Sequence, residues 1–358
     1  MPRKPARPAP EEAADDALAP VERAMRRQVA AALPPDGAPG LDGFYGMLRY
    51  HLGWADADFA PAAINAGKRL RPLLLVRCAE ALGGATETAA PAAAAVELLH
   101  NFTLVHDDIQ DESSHRRHRE TIWHRWGTAQ AINVGDALFA VAPAGLYSLA
   151  EPPHDLPAAR VLAIARDFEQ VALRIVEGQY LDLAHEGEWG GGVARYLAMI
   201  ERKTAVILDF AARAGATLAG ADEETAARFG RFGLALGLAF QVRDDILGIW
   251  GAPEVTGKPA ADDLRRRKQS LPIVALDEVA SPAVREEVRA LYRAPALDDA
   301  AVARTLALLD EAGVARRCQA YVARYHDDAR ELLDALAPRL VRTDRLHAFL
   351  DALEERDE

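Results

Sequence analysis

Cysteine is almost missing from this chain: Cys78 and Cys318 are the only two in 358 residues. That is too few for a disulfide framework, and their spacing is unlike a zinc site, so both are expected in the core of a cytoplasmic protein. No apolar run of about 18 residues occurs, so no transmembrane segment is expected. Positive charge is not in excess either. The 42 basic residues face 54 acidic ones, a net charge of −12, which argues against a nucleic-acid surface. Aromatics make up only 6%, and β-branched residues never alternate long enough to suggest strands. With Ala, Leu and Arg abundant, the prediction is an all-α fold. Trp123, Trp126 and Trp250 read as packing residues, not as a stacking platform.

Length alone would suggest about two domains. The helical patterns nevertheless follow one another with short breaks at Glu151–Pro157, Glu186–Gly192 and Gly251–Ala261, so one helical domain is expected over residues 21–358. Residues 1–20, rich in Pro, Ala and charge, are expected to form a disordered arm. They contain no hydrophobic stretch of the signal-peptide kind. Their early arginines suggest a transit peptide only faintly, against the run EEAADD.

What is present is acidic and grouped. The segment LLHNFTLVHDDIQDESSHRRHRETIWHRW, Leu98 to Trp126, places Asp107, Asp108 and Asp111 at i, i+1 and i+4 of an apolar helix. Asp107 and Asp111 fall one turn apart, with Cβ atoms about 5–6 Å from each other, so their oxygens can share hard divalent cations. Mg²⁺ suits such ligands, since it is usually held by one or two carboxylates plus substrate phosphates; Mn²⁺ can substitute. Arg116, Arg117 and Arg119, close behind, can grip phosphate oxygens in bidentate fashion. At about 100° per residue, His100, Thr103, Asp107 and Asp111 share one stripe, so the histidine is expected to face the carboxylates.

The pattern occurs twice. In FGRFGLALGLAFQVRDDILGIWGAPEVTGK, Phe229, Phe232, Leu236 and Phe240 form an apolar helix face ending at Asp244 and Asp245. Two apolar helices, each capped by carboxylates, imply a greasy cavity with a metal-binding mouth. Such a cavity suits an amphiphile with a hydrocarbon tail and a diphosphate head.

In these motifs the chain resembles the trans-polyprenyl diphosphate synthases, which include farnesyl and geranylgeranyl diphosphate synthases, from about Gly67 to Lys268. The resemblance implies the isoprenoid synthase fold, a bundle of roughly a dozen helices around a central apolar cavity. It implies Mg²⁺ held by Asp107, Asp111 and Asp244, with Asp108 completing the first motif. It assigns Gly67, Lys68 and Arg71 of GKRLRP, with His100, Arg116 and Arg117, to the diphosphates, chiefly that of isopentenyl diphosphate. Gln179, Lys203, Thr204, Phe240, Gln241, Lys258 and Lys268 also fall on family positions. Among them Lys203, Lys258 and Lys268 are implied to hold the allylic diphosphate, and Thr204 and Gln241 to steady the carbocation. A homodimer is implied too. One position departs: the second motif usually ends in a further Asp where this chain has Gly248, and activity is expected to survive the change.

Phe102 stands five residues before Asp107 and Thr103 four before, with no insertion in the first motif. This resembles the archaeal type of geranylgeranyl diphosphate synthase, where an aromatic there limits the tail, so geranylgeranyl diphosphate is the expected product and farnesyl diphosphate the alternative. Three other readings compete. Glu97/His100 and Glu112/His115 each have the E-x-x-H spacing of di-iron bundles, but lie only fifteen residues apart. A terpene cyclase would need a different second motif and would leave GKRLRP without a role. A non-catalytic synthase subunit would typically lack the first aspartate motif, intact here.

Overall fold

The computed structural model describes residues 10–33, 39–64, 67–186, 190–252, 261–294 and 297–354. Helices account for nearly all of the described structure; the only strands among these residues are the two-residue pieces β1 (His115–Arg116) and β2 (Arg119–Glu120). The all-α expectation therefore holds. The chain forms two compact units. One comprises Met1–Glu169, Ala211–Ala226 and Arg339–Phe349, the other Gln170–Phe210, Ala227–Pro338 and Leu350–Glu358.

The first unit is organised by α4 (Thr86–Gln110), which packs against α1 (Pro10–Ala31), α3 (Leu70–Ala81) and α6 (Thr128–Val141). The sequence of α4 explains this central place. Ala89, Ala90, Ala92, Ala93, Ala94 and Ala95 are all fully buried, so α4 is apolar around its whole circumference, as a helix enclosed by others must be. Their small side chains let the neighbours come close. α2 (Asp42–His51) packs on α6, and the short α5 (Ile122–Trp126) on α4 and α6. Trp126 sits edge-on to Tyr50 and stacked on Phe59, the packing role expected of it.

The N-terminal expectation needs correcting. Residues 10–20 are not an arm but the first half of α1; residues 1–9 lie outside the described residues. Of the prolines in this stretch, Pro10 opens the helix, where proline is well tolerated, and Pro20 lies inside it. The apolar residues Ala17, Val21, Ala24, Met25 and Val29 form a buried stripe. A second difference concerns Thr128–Ala150, which is long and apolar enough to cross a bilayer by length and composition. It is interrupted at Pro143, and the 14 residues of α6 rise only about 21 Å, short of the roughly 30 Å hydrocarbon core.

In the second unit, α9 (Gly192–Ile200) runs into a π-helical turn, Glu201–Ala205, before α10 (Val206–Leu218). The unit's core joins Tyr196, Met199 and Ile200 to Val242, Ile246 and Ile249 of α11 (Glu223–Trp250), and to Leu271, Ile273 and Val274. Cys318 lies in the same core, and Cys78 is buried in α3. The unit divisions at 169/170, 210/211 and 226/227 fall inside α8 (Ala158–His185), α10 and α11.

Because Met25 is fully buried, Met25→Ala should lower the unfolding free energy by about 2–4 kcal/mol, read by denaturant titration. An unchanged midpoint would contradict the packing of α1 against α3 and α4.

Candidate functional site

In the first unit, α4 ends at Asp111, its C-cap, so all three carboxylates of the first motif sit in its last turn. Successive helix residues point about 100° apart, and the structure separates them accordingly. Asp107 and Asp111 are half-buried, whereas Asp108 is only 2% exposed and receives a 2.8 Å bond from Nε of Arg116. Burial raises the Asp108 carboxyl to about 6, opposed by Arg116 and reinforced by Asp107 and Asp111.

After α4 the chain turns through a two-residue hairpin, with His115 opposite Glu120 and Arg116 opposite Arg119. Its central residues, Arg117 and His118, both have positive φ, 51° and 62°. Such a turn normally takes Asn-Gly. Non-glycine residues held there carry strain of the order of 1 kcal/mol or more each, a feature that clusters at functional sites. The strain places the Arg117 guanidinium flat against Gly67. A Cβ on Gly67 would come within 2.6 Å of Nη2 of Arg117, and Gly67 itself has φ +93°. The positive φ at 67 favours glycine, because L side chains rarely adopt it.

Around this contact the expected residues gather. Arg71 Nη1 lies 3.1 Å from His100 Nε2. Burial lowers His100 well below the ordinary histidine range, helped by Arg71 and Arg117, so the imidazole is neutral. Lys68 is exposed. Arg69 reaches back to Glu22 of α1 at 2.5 Å, which ties the N-terminal helix to this loop. Thr103 spends its hydroxyl proton on the His100 carbonyl. Phe102, 9% exposed, packs its ring against His106 and Phe139 at 4.8 and 5.1 Å.

Arg119 does not join the other arginines of the cluster. Its guanidinium donates to the carbonyls of Tyr50 and Ala55 and lies 3.7 Å over the Tyr50 ring, so it braces the hairpin. Two residues that sequence reasoning did not assign here belong to the cluster. Glu97 is 2% exposed and accepts from Asn101; burial raises its pKa while Arg69, Arg71 and Arg117 pull it down. It is a counter-anion to the arginines. Its E-x-x-H spacing to His100 was visible, but pointed to iron. His51 is lowered to about 3 by burial and by Arg116, Arg117 and Arg119, so it too is neutral.

The second unit carries the other motif. Asp244 is exposed, whereas Asp245 is 6% exposed and accepts from Tyr196 Oη at 2.5 Å, Leu271 N at 2.7 Å and Gln241 Nε2 at 3.0 Å. Burial raises Asp245 to about 6 against those hydrogen bonds. Lys203 and Thr204 lie in the π-turn, a local widening common at functional sites. Lys203 pairs with Asp182 at 2.5 Å, and Thr204 donates to Gln241 Oε1 at 2.7 Å. Close approach of α8 needs Gly178, where a Cβ would fall 2.2 Å from the Lys203 nitrogen. Gln179, Phe240 and Lys268 are half-buried. Lys258 lies outside the described residues.

Comparison with known proteins fits these features. The polyprenyl synthetase family model matches residues 58–309. The chain belongs to the polyprenyl synthetase family. It is 44% identical over 293 residues to a geranylgeranyl diphosphate synthase of Mycobacterium tuberculosis, covering 79% of this chain and 82% of that one. It is 42% identical over 247 residues to a (2E,6E)-farnesyl diphosphate synthase of Mycobacterium bovis, covering 69% of this chain and 65% of that protein. A polyprenyl synthetase structure from Streptomyces coelicolor superposes with a TM-score of 0.81 at 37% identity, covering 95% of this chain and 98% of that one.

For a polyprenyl synthetase the donor set must suit a hydrated cation that also binds phosphate. Among the described residues no three His, Cys, Asp or Glu side chains converge to hold an ion unaided. A di-iron bundle, whose ligands all come from protein, requires such convergence. Mg²⁺ does not, because waters and substrate phosphates complete its shell; the half-buried pair Asp107 and Asp111 fits it.

The departure at Gly248 has a structural counterpart. A Cβ on Gly248 would lie 2.1 Å from Oδ2 of Asp263, so a carboxylate from another segment already fills that place. Gly248→Asp should therefore displace Asp263 and set two carboxylates together. We expect a loss of about 1–3 kcal/mol in stability by thermal melting, and an unchanged melting temperature would contradict this packing.

Proposed function

We propose that this prenyltransferase condenses isopentenyl diphosphate head-to-tail with an allylic diphosphate, with geranylgeranyl diphosphate as product. Farnesyl diphosphate is the alternative, and relatives bearing both names are similar to the chain. The observation that carries the reading is the array of Gly67, Arg71, His100 and Arg117 beside the first acidic motif. A terpene cyclase, which takes one diphosphate, has no use for a second cationic site. A non-catalytic subunit has no use for an intact first motif. Enzyme of this class is placed in the cytoplasm, where free Cys78 and Cys318 persist as thiols. Its acidic balance suits neither DNA nor RNA. The exposed apolar side chains Ile132, Phe139 and Tyr147 support a homodimer.

In this reading Asp107, Asp111 and Asp244 hold Mg²⁺, and Asp108 and Arg116 brace the first motif from within. When bound, Mg²⁺ neutralises charge on the departing diphosphate. Lys203, Lys258 and Lys268 bind the allylic diphosphate, and Gln179 and Phe240 line the allylic side. Ionisation leaves an allylic cation, steadied by the oxygens of Thr204 and Gln241. Isopentenyl diphosphate is held by Lys68, Arg71, His100 and Arg117, and a neutral His100 can both accept from Arg71 and donate to a phosphate oxygen. Its double bond attacks the cation. The released diphosphate takes the proton lost in forming the new double bond. No organic cofactor takes part.

Asp107→Ala and Asp244→Ala should each lower kcat at least about a hundredfold, in line with removing one strong electrostatic stabiliser. Activity should also stop on chelation and return with Mg²⁺ or Mn²⁺. Near wild-type turnover in either variant would rule out the assigned role.

Product length should answer to Phe102, whose ring closes space between α4 and α6 through Phe139. One helical turn is about 5.4 Å, roughly one extended isoprene. Phe102→Ala should thus let products grow by at least one five-carbon unit, read by chromatography. An unchanged product distribution would place the floor elsewhere.

A further inference from the structure

Four hydrogen bonds in the second unit form one directed chain. Tyr196 Oη and the Leu271 amide both donate to Oδ2 of Asp245, at 2.5 and 2.7 Å. Gln241 Nε2 donates to Oδ1 of the same carboxylate at 3.0 Å. Thr204 Oγ1 donates to Gln241 Oε1 at 2.7 Å. An ionised carboxylate only accepts. Asp245 must therefore meet the NH₂ end of Gln241, which leaves the amide oxygen facing Thr204. The Thr204 proton is then committed to Gln241, and the free lone pairs of Thr204 are what it can offer a substrate. Asp245, Tyr196 and Thr204 are all nearly fully buried, so water cannot readily take over a missing partner.

We infer that Asp245 and Tyr196 are positioning residues that set the polarity of the Gln241 and Thr204 pair, so that oxygen lone pairs rather than a hydroxyl proton face the developing allylic cation. Asp245 thus differs in role from its neighbour Asp244: one faces outward, the other orients the groups that steady the cation. Tyr196 contributes by holding Oδ2 on the side of Leu271, which leaves Oδ1 for Gln241. The inference rests on the prenyl-transfer reading above.

The arrangement makes a specific reversal possible. In Asp245→Asn a single oxygen remains, and two donors, one of them a backbone amide that cannot turn, hold it at the Oδ2 side. The new NH₂ group faces Gln241, whose amide must flip to accept. Its own NH₂ then faces Thr204, which has to accept in turn, releasing its proton toward the cation. Adding Gln241→Glu restores the original direction, because a carboxylate at 241 accepts from both neighbours.

The test is steady-state kinetics of the full-length protein with Mg²⁺, isopentenyl diphosphate and an allylic diphosphate, varying each substrate in turn. Asp245→Asn should lower kcat about a hundredfold, the scale of losing one preorganised electrostatic group, with both KM values within about threefold of wild type. The Asp245→Asn/Gln241→Glu double variant should regain at least about tenfold of that loss, a non-additivity expected of residues in one hydrogen-bonded network. A merely structural role would give no such rescue. If Asp245→Asn alone fails to fold, the double variant, in which every donor has an acceptor, is expected to fold and to turn over above 1% of the wild-type rate, roughly the single-variant level set by the same electrostatic scale. A folded double variant below that level, wild-type kcat in the single variant, or a loss carried by KM overturns the relay. An inactive wild-type protein instead overturns the functional reading, and the relay with it.

Discussion

Adjacent residues on a helix point about 100° apart, so two neighbouring aspartates cannot share one environment. Both acidic motifs of this chain use that constraint in the same way. At α4 and again at α11, one carboxylate faces outward while its neighbour turns into the protein. The inward one must then be satisfied there, since an unpaired buried charge costs several kcal/mol. Asp108 takes Arg116, and Asp245 takes Tyr196, Gln241 and the Leu271 amide. Each inward carboxylate thereby anchors a group beside it: the arginine hairpin in one unit, the Thr204 and Gln241 pair in the other.

The cationic side is organised by the same logic with the signs reversed. Arg69, Arg71, Arg116 and Arg117 crowd one region, and like charges so placed repel. Glu97, buried beneath them, and Glu22, reaching in from α1, offset that repulsion. The histidines in the cluster, His51 and His100, stay neutral because burial and the arginines together oppose a further positive charge. In the proposed reading such an array is prepared for a polyanion before any arrives, which is where preorganisation lowers the cost of binding.

Much of this was legible in the sequence, for a definite reason. Asp107, Asp108 and Asp111 are neighbours in the chain, as are Asp244 and Asp245, so each group falls on one helix, the first at the end of α4 and the second within α11. The all-α fold likewise follows from local composition. What was not legible depends on distant contacts. Tyr196 meets Asp245 across 49 residues, and nothing in the sequence near either announces the other. Asp263 fills the place beside Gly248 by the same kind of meeting. The π-turn that carries Lys203 and Thr204 has no spacing signature. Arg119 looked like its arginine neighbours and proved to brace the hairpin instead. The first helix begins at Pro10, ahead of the expected boundary at residue 21, because the Pro and charge of residues 10–20 gave no helical signal.

The central claim is that two diphosphates meet in this protein and leave as one longer prenyl diphosphate. Incubation of the purified chain with Mg²⁺, isopentenyl diphosphate and a labelled allylic primer, followed by mass spectrometry, tests it most directly. The account predicts a labelled product longer by whole five-carbon units that retains its diphosphate, with one inorganic diphosphate released per unit added. A cyclised hydrocarbon that has lost its diphosphate, or recovery of both substrates unchanged, would contradict it.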